Sequence, residues 1–419
     1  MSKEIKKIDM HKKPMKMNPL LVPIVWIAVH VHMLTRKHKI VKENFKKLPK
    51  GCLILSNHMS FEDMKLLMKF LLPRRSYFLS SIDEFIGKEW IMRQLGCIPK
   101  KVHYSDIAIV KTIVKLLKKE NIVTIYPEAT YSFAGVTNDF DQGLGKLAKL
   151  GNVPVIVIRQ HGNYLFSPRW NTNPKNMEVP LLYKAKMVVS KEEVKTLTAD
   201  QIQQRINEYF EYDDYKYQRE NNIKIKSETK AKNIERILYR CPHCENEMCI
   251  KGEGNDIICT SCNAKYHIDE LSILRNVNGD TKFTSISDWF TWQRKSVKEQ
   301  IENETLNISF PVKISKYLNP KLGFDHNFAK GNATLSHHGI VVDAKVNEDG
   351  SDFHYEYNEK LNSTIHLTYD VKGCQDSGFE VHNATDSYMV YPLDGTSIIK
   401  VRFAIEEAHK HHFAKQKIK

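Results

Sequence analysis

The sequence predicts four parts: an N-terminal membrane-associated helix, an α/β domain, a small four-cysteine ribbon, and a C-terminal antiparallel β domain closing on a helix. Three observations predict it. Over residues 50–190 of an α/β domain bounded at 50–210, short aliphatic runs alternate with amphipathic helical patterns, as expected of a parallel sheet with helical crossovers. Two Cys-x-x-Cys pairs, Cys241/Cys244 and Cys259/Cys262, stand fourteen residues apart. From about residue 306 the apolar period changes to two, with Gly, Asn and Asp between the runs, which marks strands and turns. A chain of 419 residues has room for several domains at roughly 100–200 residues each.

Residues 1–49 form a basic N-terminus. Lys and Arg number 63 against 49 acids, a formal charge of +14, and 13 of the basic residues lie within the first 50 against 3 acids. That balance suits a phosphate-bearing partner or an anionic membrane. The apolar run Pro19–Leu34 covers roughly 24 Å as a helix at about 1.5 Å per residue, short of the ~30 Å hydrocarbon core. Arg36, Lys37 and Lys39 follow it without a small-residue cleavage site, unlike a cleaved signal peptide. The expectation is an interfacial or re-entrant helix with a basic collar at the headgroups; the alternative is a helix packed into a soluble core. A polytopic membrane protein is excluded, since mean hydropathy is −0.44 and no stretch reaches about 18 apolar residues.

Within the α/β domain, Cys52–Ser56, Ile122–Tyr126 and Val153–Arg159 read as buried strands. Asp106–Lys119 reads as a helix whose lysines at 111, 115, 118 and 119 form a solvated face. Leu182–Val189 adds a strand and Ala199–Phe210 a helix. Residues 211–237 read as a charged connector, 238–270 as the ribbon, and 271–305 as a linker with an amphipathic helix at Ser287–Asn303 carrying Trp289, Phe290 and Trp292. Residues 306–419 hold alternating stretches at Ala333–Leu335, Ile340–Ala344, Phe353–Tyr357, Thr364–Tyr369 and Ser387–Tyr391, then a helix over about Ser397–Lys415. Many strands before one terminal helix would suit a pleckstrin-homology-like sandwich.

The four cysteines of the ribbon match zinc-knuckle spacing, and four sulfur ligands leave no open position for a reacting water, so the implied Zn2+ is structural. Cys52, Cys97, Cys249 and Cys374 have no partner spacing and read as packing residues. Gly143-Leu-Gly145-Lys146 lacks the upstream glycine and following Ser or Thr of a P-loop.

The most informative stretch is Leu53-Ile-Leu-Ser-Asn57-His58-Met-Ser60-Phe-Glu-Asp63. A buried strand runs into a turn, and Ser60 can cap a following helix with Asp63 in its first turn. Ligands of open α/β sheets sit beyond the carboxyl ends of the strands, where His58 falls. If the turn folds His58 back, Asp63 reaches one imidazole nitrogen and the other faces a bound hydroxyl, the arrangement of a general base with its orienting carboxylate. The plain alternative is a strand–cap–helix junction with Ser60 and Asp63 as the capping pair.

Asn57-His58-Met-Ser60-x-x-Asp63 resembles the first signature block of the glycerolipid acyltransferases, Asn-His-x-Ser-x-x-Asp. Tyr126-Pro127-Glu128-Ala129-Thr130-Tyr131-Ser132 resembles the third block, commonly Pro-Glu-Gly-Thr-Arg-Ser. Val153-Pro154-Val155-Ile156-Val157 is similar to the fourth, and Ile98-Pro99-Lys100-Lys101 stands where the second is expected. The resemblance covers about residues 18–190. It implies transfer of a fatty acyl chain from acyl-CoA or acyl carrier protein to the hydroxyl of a lysophospholipid, in first place 1-acyl-sn-glycerol-3-phosphate. His58 and Asp63 would be the catalytic pair, with Asn57, Ser60, Glu128, Thr130, Lys100 and Lys101 around the acceptor. Glu128 has a second reading, a strand-end carboxylate paired with a nearby lysine.

Two positions depart from the family pattern. Ala129 stands where the family has Gly, and Tyr131 where it has the Arg credited with gripping the acceptor phosphate. Either Lys100, Lys101, Lys146 or Arg159 supplies that charge, or the acceptor is a different lysolipid or alcohol. A rival reading from another class is a non-catalytic lipid- or nucleic-acid-binding adaptor built around the ribbon. Against nucleic acid, residues 241–270 hold six acids and two lysines, a poor surface for tracking phosphates. The expected setting is membrane-associated on the cytoplasmic face, where thioester donors and reduced cysteines occur.

Overall fold

The computed structural model describes residues 8–10, 12–101, 106–171, 175–357, 363–369, 377–383 and 385–418. The chain begins with α1 (Leu21–Leu34), β1 (His38–Glu43), β2 (Cys52–Ser56), α2 (Glu62–Leu71), β3 (Ser76–Ser81), α3 (Glu89–Gln94), β4 (Cys97–Lys100), α4 (Ile107–Lys118) and β5 (Ile122–Ile125). It continues through α5 (Leu144–Gly151), β6 (Val155–His161), α6 (Asn163–Phe166), β7 (Leu181–Val189), α7 (Glu193–Thr196), α8 (Ala199–Phe210) and α9 (Asp214–Glu220). Seven strands form one sheet in the order β1-β7-β6-β2-β5-β3-β4.

Two apolar layers flank this sheet because side chains alternate along each strand. Cys52 and Ile54 of β2 face the layer holding Val29 and Met33 of α1 and Leu66 and Leu67 of α2. Leu53 and Leu55 face α4, α5 and α8 through Ile113, Leu117, Ala148, Ile202 and Ile206. The expected parallel sheet is in fact mixed, since β7 runs antiparallel to β6. Among the described residues between these strands the only helix is the four-residue α6, too short to serve as the covering helix by which parallel neighbours are usually connected. β3 and β4 escaped the sequence reading; β4 is a short edge strand containing Pro99, a residue that edge strands tolerate.

α1 has two apolar faces. Val29 and Met33 are buried, while Leu20, Ile24, Ile27, Val31 and Leu34, spaced as one helical stripe, are 56–82% exposed. Among the described residues no helix is long and apolar enough to cross a membrane. Residues 211–237, read as a charged connector, carry α9 and bury Tyr212, Tyr215, Ile223, Ile225 and Ile234. These side chains have no periodic stripe because each docks separately between charged neighbours.

The ribbon is a four-stranded sheet of β8 (Ile250–Glu253), β9 (Asp256–Cys259), β10 (Lys265–Ile268) and β11 (Leu274–Asn276). α10 (Ile286–Glu302) follows. Its Trp289 is fully buried, with its ring 5.1 Å from Tyr266 of the ribbon, so it serves packing. The C-terminal sheet comprises β12 (Asn307–Asn319), β13 (Gly323–Ser336), β14 (Gly339–Val346), β15 (Asp352–Glu356), β16 (His366–Thr368), β17 (Gly378–His382) and β18 (Ser387–Pro392), closed by α11 (Ile398–Ile418). Its order is β15-β14-β13-β12-β18-β17-β16, antiparallel throughout. This domain docks on the loops at the carboxyl ends of β3–β5. Lys101 Nζ donates to Asn383 O at 3.0 Å, Gly87 N donates to Pro320 O, and the Arg402 guanidinium lies 4.9 Å from the Phe133 ring. Cys374 lies outside the described residues.

Candidate active site and cysteine cluster

β2, β5 and β6 are adjacent in the sheet, so the residues just past their carboxyl ends meet. His58 follows β2, Glu128 follows β5 and Asn163 follows β6. The turn after β2 folds back as required: His58 Nδ1 lies 2.9 Å from Asp63 Oδ2. The same oxygen accepts from Met59 N at 2.5 Å and Ser60 N at 3.0 Å, while Ser60 Oγ accepts from Glu62 N at 3.2 Å. One carboxylate thus joins the His58 ring and the Ser60 backbone, while α2 itself starts at Glu62, after Phe61, rather than at Ser60. Asp63 Oδ1 accepts from Asn163 Nδ2 at 2.5 Å, so the fully buried carboxylate has a partner on each oxygen.

With Nδ1 donating to a carboxylate, Nε2 of His58 is left as the acceptor, without a hydrogen-bond partner among the described residues. The imidazole is stacked between two tyrosines, with Tyr126 at 4.1 Å and 21° and Tyr131 at 4.1 Å and 33°. Its side chain keeps 20% exposure. The backbone of His58 is also fixed by the loop after β5: Ser132 N donates to His58 O at 2.7 Å, and His58 N donates to Glu128 Oε1 at 3.4 Å.

Glu128 is fully buried. Its carboxyl accepts from Asn138 N at 2.8 Å and from Tyr212 Oη at 3.1 Å. Burial, only partly offset by these bonds, pushes it up to about 8. No lysine pairs with it among the described residues, and its oxygens serve the loops around His58. Asn57 is likewise buried and committed: its amide donates to Gln160 O at 3.0 Å and accepts from Gln160 N at 2.8 Å, extending the contact of β2 with β6. Thr130 is buried in the same loop. Its neighbour Ala129 has φ of 54°, a left-handed conformation natural to glycine, which accounts for the family preference at this position.

The candidates for the missing cation are placed as follows. Burial lowers the pKa of Lys100. Lys101 is bonded to the C-terminal domain, Lys146 is on the exposed face of α5, and Arg159 stacks 4.2 Å from the Tyr209 ring. The sequence reading missed Arg169, whose guanidinium lies 5.4 Å from the Tyr131 ring and which has no carboxylate partner among the described residues. It also missed Asn163 and Tyr126. The polar run Gln160-His161-Gly162-Asn163 ending β6 was the available signal for Asn163, whereas Arg169 stands in a loop without any motif.

In the ribbon, the four Sγ atoms of Cys241, Cys244, Cys259 and Cys262 all lie within 4.8 Å of one another. Cys241 and Cys262 are 3.8 Å apart, and Cys244 and Cys259 3.7 Å. Tetrahedral sulfurs at about 2.3 Å from a metal stand roughly 3.8 Å apart, so the cluster can hold a metal ion. The two knuckles repeat one design: Glu245 N donates to Cys241 O at 3.0 Å and Asn263 N to Cys259 O at 2.9 Å, with Glu245 and Asn263 both left-handed. Cys249 is buried nearby, its sulfur 3.5 Å from that of Cys259.

Residues 37–159 match the family model described as Acyltransferase. Matching relatives include a chloroplastic 1-acyl-sn-glycerol-3-phosphate acyltransferase of Brassica napus, 27% identical over 148 residues, 34% of this chain and 42% of that one. Another from Arabidopsis thaliana is 28% identical over 151 residues, 34% and 41% of the two chains. The α/β domain belongs to the acyltransferase family. This acyltransferase domain is the matched part; the chain spans about two-fifths of the length of the curated relatives it matches. The crystal structure of the 1-acyl-sn-glycerophosphate (LPA) acyltransferase PlsC from Thermotoga maritima aligns with a TM-score of 0.34 at 19% identity, covering 45% of this chain and 78% of that one.

Proposed function

We propose that the acyltransferase domain transfers a fatty acyl chain from a thioester, acyl-CoA or acyl carrier protein, to the hydroxyl of a lysophospholipid, most simply 1-acyl-sn-glycerol-3-phosphate, yielding phosphatidic acid. The observation that carries the reading is the His58–Asp63 pair with Nε2 open beyond the carboxyl end of β2. The acceptor hydroxyl gives its proton to Nε2 as its oxygen attacks the thioester carbonyl. The tetrahedral intermediate collapses by expelling the thiolate, which takes the proton from the imidazolium, so His58 ends neutral. Asp63 stabilises the transient cation and fixes the tautomer. Two tyrosine faces against the ring add to that stabilisation, since aromatic faces attract cations.

Arg169 is our candidate for the charge that the family draws from the position of Tyr131. It reaches the site over the Tyr131 ring, and an arginine fork matches phosphate oxygens. The replacement by Tyr131 favours a second reading, the same chemistry on another acceptor. In both, the exposed apolar stripe of α1 rests in the bilayer interface, on the cytoplasmic face if donors are cytosolic thioesters. The metal of the ribbon is read as Zn2+ held by Cys241, Cys244, Cys259 and Cys262; it stabilises the fold when bound and takes no part in transfer.

Thioester consumption by wild type and His58→Ala, over lysolipids with and without a phosphomonoester, tests this. Loss of about 10³-fold in kcat for the variant, within the range for a general base, is the expected result. Activity restricted to phosphomonoesters selects the first acceptor, and activity on others selects the second. Equal turnover by both proteins, or none by either, sinks the enzyme reading in favour of an adaptor.

A further inference from the structure

Glu62 is fully buried at the start of α2, one residue before Asp63, and three cationic side chains and a histidine converge on it. Lys65 Nζ lies 2.7 Å and Lys175 Nζ 3.0 Å from Oε1. His32 Nε2 lies 2.7 Å and Arg36 Nε 3.8 Å from Oε2. Burial pushes this carboxyl upward, but the hydrogen bonds from Lys65, His32 and Lys175 outweigh it and hold it at about 2. A single negative charge thus faces two lysines, an arginine and a histidine, and no other carboxylate touches these four among the described residues.

These four side chains come from separate segments: α1 and the turn after it, α2, and the loop before β7. Arg36 and Lys175 both lie over the Phe166 ring, at 5.1 and 5.4 Å. The group is open to solvent, with Lys65 and Lys175 keeping 30% and 39% side-chain exposure. An ammonium has three donors, so each lysine retains protons beyond the one turned to Glu62. His32 and Arg36 stand at the end of the helix whose outer stripe is apolar. A helix lying in the interface sinks its apolar face by about 5–10 Å, which brings cations on its flank to the level of lipid phosphates.

We propose that His32, Arg36, Lys65 and Lys175 form a headgroup site that binds the phosphate of an anionic phospholipid in the bilayer on which α1 lies. This rests on the docking of α1 proposed above and adds lipid selectivity to it. The surplus positive charge is the argument: one carboxylate orients the cations without neutralising them, and a lipid phosphate completes the balance.

Cosedimentation with vesicles of phosphatidylcholine, alone or mixed with phosphatidylglycerol, separates the two ideas. Wild type should bind both, the mixed vesicles more tightly. At about 5-fold per cation near an anionic surface, Lys65→Ala/Lys175→Ala should lose roughly 25-fold of affinity for the mixed vesicles and none for the neutral ones. Lys175→Ala alone should lose about 5-fold, which keeps the test available if the double variant folds poorly. Lys115→Ala/Lys118→Ala, on α4 in the opposite layer of the sheet, is the charge-matched control and should bind as wild type. Unchanged binding of the Lys65/Lys175 variants, an equal loss in the control, or an equal loss on neutral vesicles overturns the headgroup site. Absence of all vesicle binding by wild type overturns the docking of α1 as well. Saturable binding of inorganic phosphate without vesicles, lost in the double variant, would assign the cations to a soluble phosphate and overturn the lipid assignment.

Discussion

The His58 turn and the cysteine ribbon are both clusters of reactive side chains, and they are finished in opposite ways. In the ribbon, four sulfurs stand at mutual distances that suit one tetrahedral ion, and nothing is left for a substrate. In the turn, every oxygen of Asp63 is engaged, yet the chain of bonds stops at one imidazole nitrogen. Closure of the first makes a fold; the single open position of the second makes a reaction possible. Removing a ribbon ligand should therefore cost structure, and removing His58 should cost turnover while leaving the ribbon intact.

The sharpest way to break this contrast is metal removal. Chelation or Cys244→Ser should strip the ribbon of a binding energy on the order of 10 kcal/mol, seen as lost metal content and a changed Trp289 fluorescence, because that indole packs on Tyr266. His58→Ala should leave the metal content and the Trp289 environment unchanged. An unaltered fold without metal would abolish the distinction.

Next in size is the substrate side of the open site. Arg169→Ala should raise KM for phosphate-bearing lysolipids about 10-fold, the order expected of one charge-assisted contact, with kcat little changed and partial rescue by Arg169→Lys. Equal effects on acceptors lacking phosphate would remove Arg169 from the site. Glu128 sharpens the comparison through pH. Its folded carboxyl titrates near 8, above the ordinary carboxylate range, so the folded state holds a proton that the unfolded chain has already released. Stability contributed by this group is present below about 4.5 and declines as pH rises toward 8. Melting temperatures of wild type should fall over that window relative to Glu128→Gln; parallel curves would refute the assignment. The smallest effect is at Ala129. A left-handed alanine costs roughly 1–2 kcal/mol, and glycine returns about 0.4–1 of it through unfolded-chain entropy. Ala129→Gly should thus gain about 0.5 kcal/mol in denaturant unfolding, and a loss would show that the turn needs the methyl group.

What could be read from sequence follows the same contrast. Local spacing carried the cysteines, the β2 turn and the helix over residues 107–118, because each depends on residues close in the chain. The direction of β7 was not legible, since it depends on its pairing between β1 and β6, which lie more than 100 residues apart in the chain. Nor were the partners of Asp63 and Glu128: Asn163 lies 100 residues from Asp63 and Tyr212 lies 84 from Glu128, and only the sheet order brings them together. Asn57 and Glu128 shared a motif with His58, but burial turned their side chains to the backbone around it. The tyrosines flanking His58 were in view as motif letters, while their stacking required the fold.

That stacking has a spectroscopic consequence. Protons on the His58 ring sit above and below aromatic currents from Tyr126 and Tyr131, which shield them toward high field. Among 18 histidines, the imidazole between two tyrosine faces should therefore give a magnetic resonance apart from the rest, and the protonation of the proposed base can be watched directly during titration and acceptor binding.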